Sequence, residues 1–237
     1  MFLKAAINGR RMPTENPSIP ITPSQQAREA SLAIAAGAGA IHVHPRDAAG
    51  WESLVDFDVA ATLEAIRETC PGIPIGVSTG AWIVPDVDRR LALIQQWNVL
   101  PDFAGVNFHE PGAEQTCQLL LKKGVQFEAG IWNGEGARLF RRSGLADQCL
   151  RILIEPAQEA GDTKGRMHEI EMVLHDVPGS RLLHGFGASS WELVALAGRL
   201  GYDTRVGFED TITLPDGTLA KNNGELVAAA RQLATEL

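Results

Sequence analysis

Short apolar runs and longer amphipathic stretches alternate along this chain throughout its length, and that alternation limits the fold more than any single motif does. Strand-like segments are predicted at residues 3–8, 40–44, 73–78, 103–107, 125–130, 151–155, 181–185 and 203–207. Each is short, apolar or β-branched, and bounded by Gly, Pro or polar residues. Helical segments are predicted at 23–37, 56–69, 86–97, 112–123, 135–144, 163–176, 189–200 and 221–236. Thr22 offers an N-cap with Pro23 at the first helical position, and Gln26 partly completes a capping box. Ser189 or Ser190 can cap the helix beginning at Trp191, and Gly37, Gly124 and Gly201 mark stops. Strict strand–helix alternation implies a parallel sheet. With eight units the sheet is expected to close into an α/β (β/α)8 TIM barrel, with residues 1–237 forming one domain. An open doubly wound sheet is the runner-up. It would usually carry a Gly-rich turn after the first strand, where this chain reads Asn8-Gly9-Arg10-Arg11.

Composition excludes several classes of function. The net charge of −8 argues against nucleic acid, which needs a basic face. No apolar run is long enough to span a membrane, and the first residues read as a strand rather than a signal peptide. Cys70, Cys117 and Cys149 are odd in number and widely spaced, which suits reduced thiols in a cytoplasmic protein. The irregular stretch 9–22 contains three prolines, and its length suggests a functional lid.

Barrels of this kind place chemistry at the C-terminal ends of their strands. Read in order, those ends offer Asn8; His42 and His44; Ser78 and Thr79; Asn107, His109 and Glu110; Glu128; Glu155; His184; and Arg205, Glu209 and Asp210. In Ile41-His42-Val43-His44 the imidazoles are two residues apart on a strand, so they share a face. Two imidazoles need a further ligand to form an open, catalytic-type metal site. Strands eight, one and two are consecutive around a closed ring, so Glu209 or Asp210 is the best third ligand. Two imidazoles and a carboxylate suit Zn²⁺; they can also hold Fe²⁺. The carboxylate that does not ligate can pair with Arg205, and such a pair could act as a base on an acidic C–H.

Four motifs make the chain resemble the beta-keto acid cleavage enzymes. They are Ile19-Pro20-Ile21-Thr22-Pro23, the His42-Val43-His44 block through Arg46-Asp47, Val77-Ser78-Thr79-Gly80, and Arg205-Val206-Gly207-Phe208-Glu209-Asp210. Ala220-Lys221-Asn222-Asn223 resembles the start of that family's last helix. The resemblance implies one zinc held by His42, His44 and Glu209. It implies that Ser78 and Thr79 lie against a substrate carboxylate or oxyanion, with Ser78 catalytic. It implies that Arg205 and Asp210 remove a proton from a β-keto acid, whose carbanion then attacks acetyl-CoA. Retro-Claisen cleavage would give acetoacetate and a new acyl-CoA. Asn8, Arg11, Asn107 and Glu128 complete the expected substrate-binding set. A homo-oligomer, commonly a tetramer in the family, is expected, with Trp191 and Leu196 as possible interface residues.

Two departures from the family pattern stand out. The family's founding type carries an acidic residue after the first strand, to meet a substrate amino group. This chain has Gly9-Arg10-Arg11 there, so a neutral or anionic substrate tail is expected. The chain is also shorter than typical members, and the glycine-rich loop after strand six reads Ile154-Glu155-Pro156-Ala157-Gln158-Glu159-Ala160, which bears on how CoA would be placed. Two alternatives remain. One is a zinc hydrolase on the same fold, although its imidazoles would be wanted at strands five and six. The other is a non-catalytic barrel that binds a small molecule.

Overall fold

The computed structural model describes residues 1–156 and 163–235. The loop positions 157–160, where the departure after strand six falls, and residue 236 of the last predicted helix lie outside the described residues. Among the described residues, eight strands form a closed parallel barrel in chain order. They are β1 (Leu3–Ala6), β2 (Ala40–Val43), β3 (Ile75–Ser78), β4 (Phe103–Asn107), β5 (Gln126–Ile131), β6 (Arg151–Ile154), β7 (Arg181–Leu183) and β8 (Asp203–Val206). The outer helices are α1 (Pro23–Ala35), α2 (Asp56–Thr69), α3 (Val87–Gln96), α4 (Ala113–Lys122), α5 (Gly134–Ser143), α6 (Thr163–Leu174), α7 (Ser190–Leu200) and α8 (Asn223–Thr235). The (β/α)8 TIM barrel expected from the alternation is therefore the fold. No helix among the described residues is long and apolar enough to cross a membrane.

The residues of each strand divide between two environments. Ile41, Val43, Ile75, Val77, Ala104, Val106, Phe127 and Ala129 are buried in the hydrophobic core. Their strand neighbours point into the barrel, as the two-residue period requires. The N-terminal side of the interior is closed by Phe103, whose ring occupies the space left by Gly76. Beside it, Lys4 and Arg151 both bind the Glu128 carboxylate. Burial lowers the Lys4 pKa, and Glu128 opposes that shift.

Local details explain the helix boundaries. Thr22 caps α1 by accepting from Gln25 N, and Gln25, not Gln26, returns the bond that completes the box. Gln26 is turned inward instead and donates to the carbonyls of Ile21 and His44. No side-chain cap forms at Ser189; Ser190 opens α7 and donates to the Gly185 and Asp210 carbonyls. α7 stops at Gly201, in the left-handed region as expected. Trp191 and Leu196 are half-buried against the core, and the Trp191 indole donates to Thr213 O. Both thus pack against their own chain while remaining partly exposed. The exposed large apolar side chains include Phe57 and Trp51.

The junction of β8 with β1 depends on a missing side chain. A Cβ at Gly207 would overlap the Ala6 carbonyl. Because none is there, the chain leaving β8 passes directly over β1, and Glu209 N donates to Ala6 O at 3.1 Å. Asn223, at the start of α8, secures the same turn: its amide accepts from Phe208 N and donates to Ile7 O and Glu29.

Candidate active site

A cavity of about 530 Å³ opens inside the barrel. It is lined by His42, His44, Ser78, Asn107, Glu128, Glu155, Arg205 and Glu209, with Arg10, Arg11, Glu15 and Trp82 also on its wall. His42 lies in β2 and His44 one residue past its end, so both rings face the interior. The two Nε2 atoms are 3.1 Å apart. The carboxylate oxygen Oε2 of Glu209 lies 3.5 Å from His42 Nε2 and 3.3 Å from His44 Nε2. A tetrahedral zinc site with bonds near 2.0–2.1 Å has ligand–ligand separations of about 3.3–3.4 Å. The observed triangle has the size of one face of that tetrahedron.

The chemistry of the three donors fits a metal as well. Glu209 Oε2 is buried and makes no hydrogen bond among the described residues, while Oε1 accepts from Arg205 at 2.7 Å. Burial would raise the Glu209 pKa, but Arg205 and the two imidazoles hold it well below the usual carboxylate range. Burial, with His44 and Arg205 nearby, pushes the His42 pKa well down, leaving a neutral ring with a lone pair to offer. Burial also opposes a charge on His44, but Glu209 and Glu52 outweigh it and hold the pKa at about 9. A cation seated between the rings would compete with that proton. His44 Nδ1 faces Glu52 Oε1 at 2.5 Å, which fixes Nε2 as the atom aimed at Glu209. The Trp82 indole donates to the same carboxylate at 3.0 Å. A carboxylate behind a ligating imidazole is a recurrent feature of metal sites.

A sequence model of the beta-keto acid cleavage enzyme family matches residues 1–237. The chain belongs to the beta-keto acid cleavage enzyme family. It is 30% identical over 268 residues to a 3-keto-5-aminohexanoate cleavage enzyme of Fusobacterium nucleatum subsp. nucleatum, covering 100% of this chain and 92% of the relative. It is 26% identical over 249 residues to a 3-oxoadipate:acetyl-CoA acetyltransferase of Cupriavidus necator, covering 94% of this chain and 84% of that one. Among solved structures, a binary complex of ObcA with oxaloacetate superposes with a TM-score of 0.71 at 18% identity. That match covers 91% of this chain, which spans only 63% of the ObcA chain. A 3-dehydroquinate dehydratase from Aquifex aeolicus gives a TM-score of 0.59 at 13% identity, covering 100% and 99% of the two chains. At these identities the structural matches speak for the barrel alone.

The other residues singled out by the sequence of this family member fall into two groups. Ser78, Arg11, Asn107, Glu128 and Arg205 line the cavity. Ser78 Oγ accepts from Gly80 N, Asn107 donates to Glu110, and Glu128 is held from below by Lys4 and Arg151. Arg11 reaches the Glu209 carbonyl and pairs with Glu15 at 2.6 Å. In contrast, Asn8, Thr79 and Asp210 are absent from the wall. Asn8 is fully buried, accepting from His44 N at 2.9 Å and donating to His44 O at 2.9 Å. It secures the backbone of a candidate ligand. Thr79 Oγ1 is spent on Gly105 O at 2.7 Å. Asp210 sits behind Arg205, accepting from its NH2 at 2.8 Å and its Nε at 3.2 Å. Of the two carboxylates left open as third ligand, Glu209 is the one turned to the imidazoles.

Arg46 of the same motif anchors the wall. Its guanidinium donates to the carbonyls of Gly9, Arg11 and Gly50, which ties the 9–22 stretch to the loop after β2. Glu52, Lys4 and the Glu155–His184 pair carry weight that the sequence did not assign to them. His184 was readable as a loop histidine, but it is fully buried with Glu155 Oε2 3.1 Å from its Nε2.

Proposed function

We propose that this chain is a zinc-dependent enzyme that joins a β-keto acid to acetyl-CoA and cleaves the adduct to acetoacetate and a new acyl-CoA. The observation that carries the reading is the convergence of His42, His44 and Glu209 at tetrahedral spacing, beside Arg205, in one cavity. The name of the Cupriavidus necator relative supports acetyl-CoA as the second substrate. Bound zinc would supply a Lewis acid for the two oxygens of a β-keto acid, making the carbon between them more acidic.

The protein's own groups then divide the work. Arg205 reaches the cavity and Asp210 does not, so a proton passing from carbon to Asp210 goes by way of the guanidinium. Burial opposes the charge on Arg205, but Asp210 and Glu209 raise its pKa further still. A free guanidine is therefore inaccessible, and Arg205 must give one proton to Asp210 as it accepts another. The Ser78 hydroxyl accepts from Gly80 N and keeps its own hydrogen to donate to a substrate oxygen. Thr79 acts through the backbone of β4.

The cavity wall bears on the substrate tail. Arg11 is paired with Glu15, whereas Arg10 is exposed and lies over the Trp82 ring, 5.9 Å from its centroid. A cation at that position would repel an ammonium group and favour a neutral or carboxylate tail.

The test is metal content and turnover in wild type, His42→Ala and Glu209→Ala. We expect about one zinc per wild-type chain, lost from both variants. With acetyl-CoA, wild type should turn over β-keto acids with anionic or neutral tails faster than one with an ammonium tail. Little zinc in wild type after supplementation would sink the reading. Ligand binding retained in Glu209→Ala would favour a non-catalytic barrel.

A further inference from the structure

Beside the three candidate ligands, Arg205 and Asp210, a buried ionisable pair has no assigned work. His184 follows β7 and is fully buried, and Glu155 follows β6; His184 approaches Asp210, in the turn after β8, and Glu155 the cavity wall. His184 Nε2 is 3.1 Å from Glu155 Oε2, and Nδ1 is 3.5 Å from Asp210 Oδ1. With the residues already described, they make a run of alternating charge: Glu209, Arg205, Asp210, His184, Glu155. The run starts at a candidate metal ligand and ends at a carboxylate on the cavity wall. The Phe186 ring packs edge-on against His184, with centroids 5.1 Å apart. The Arg205 guanidinium lies 5.7 Å from the centroid of the same ring.

The geometry of Asp210 shows why the run matters. Both Arg205 bonds land on Oδ1, and Oδ2 is buried with no hydrogen-bond partner among the described residues. Neither His184 nitrogen makes an aligned hydrogen bond, although both face carboxylates. Arg205 is drawn one way by Glu209 and the other by Asp210. The balance depends on Asp210 being held in place, and His184, whose Nδ1 faces the same Oδ1 that Arg205 uses, is positioned to do it. Burial and Arg205 oppose a charge on that imidazole, but Glu155 and Asp210 outweigh them and raise its pKa. Burial opposes the charge on Glu155, but His184 and Arg205 pull its pKa below the usual range. Each partner thus favours the charged form of the other.

We propose that His184 is a positioning residue that holds Asp210 against Arg205, and that Glu155 holds His184 from the cavity wall. Its kinetic consequence rests on the proposed function; its structural consequence does not.

The test uses Glu155→Gln, His184→Gln and the double variant in the full-length, zinc-loaded protein. Glu155→Gln preserves shape and removes charge, so a packing role would leave it active. We expect kcat to fall about 10–100-fold in each single variant, the size typical of lost supporting contacts. KM for the β-keto acid and zinc content should stay unchanged, which separates positioning from binding. The double variant should be no slower than His184→Gln, because the residues act as one unit. Wild-type kcat in Glu155→Gln, or losses that multiply in the double variant, would overturn the proposal. Should His184→Gln fail to fold, Glu155→Gln carries the kinetic test alone. Should wild type turn over no β-keto acid, the functional reading fails instead. A crystal structure of Glu155→Gln then decides: Arg205 and Asp210 out of hydrogen-bond range supports the positioning role, and an undisturbed pair overturns it.

Discussion

Glu52 is the residue whose removal should separate metal affinity from fold. Burial opposes its charge, but His44 and Trp82 hold its pKa below the usual carboxylate range. The Trp82 bond shows that the carboxylate is fixed from both sides. Glu52→Gln keeps an acceptor for Trp82 and removes the charge from His44. We expect zinc affinity to fall about 10–100-fold with little change in melting temperature, read by competition with a chelator. Unchanged affinity would show Glu52 to be incidental. At this scale the sequence was legible where chemistry is local. His42 and His44 share a face because strand geometry puts them there, whatever surrounds them. Glu52 was not legible, because it comes from the loop beyond and is brought back by a bridge pairing Arg46 with Glu52. Asn8 and Thr79 were read from their place at strand ends. That position does not say whether a polar side chain turns to the cavity or to a neighbouring backbone group.

Helices α1 and α8 meet at a polar clasp, in which Glu29 Oε2 accepts from Asn223 N at 2.8 Å and from its amide at 2.9 Å. Burial raises the Glu29 pKa despite those bonds. In the unfolded chain the group ionises near 4.5. As pH rises above that value the folded state resists ionisation, so wild-type stability falls until the raised folded pKa is passed. Glu29→Gln keeps the acceptor and removes the titration. The melting temperature of Glu29→Gln relative to wild type should therefore climb as pH rises above about 4.5. A pH-independent difference would contradict this account. Elements were legible because each segment has a clear period and punctuation. Their ends were less so: the first predicted strand runs to residue 8, but β1 ends at Ala6. Ile7 and Asn8 are still extended enough to read as strand, yet they already serve the junctions with β2 and α8. Helical spacing likewise could not show that the Trp191 indole reaches Thr213 O.

For the whole molecule, closure and site construction are one event. Gly207→Ala should push β8 away from β1 and cost about 1–3 kcal/mol, in the range of overpacking and forced backbone shifts. Because Glu209 N bonds to Ala6 O, the same variant should also lose zinc. Urea unfolding and metal analysis on one preparation check both, and a stable variant with full zinc would refute the link. Closure itself was readable from the count of strand–helix units. The charged interior beneath the cavity was not, because Lys4 and Glu128 are far apart in sequence and meet only across the finished barrel. Order of synthesis gives the seam another meaning. A nascent or truncated chain ending before β8 carries both imidazoles and lacks Glu209, Asp210 and Arg205. The third candidate ligand is supplied last, so under the proposed function a chain interrupted before β8 keeps two imidazoles but cannot assemble the three-sided metal site.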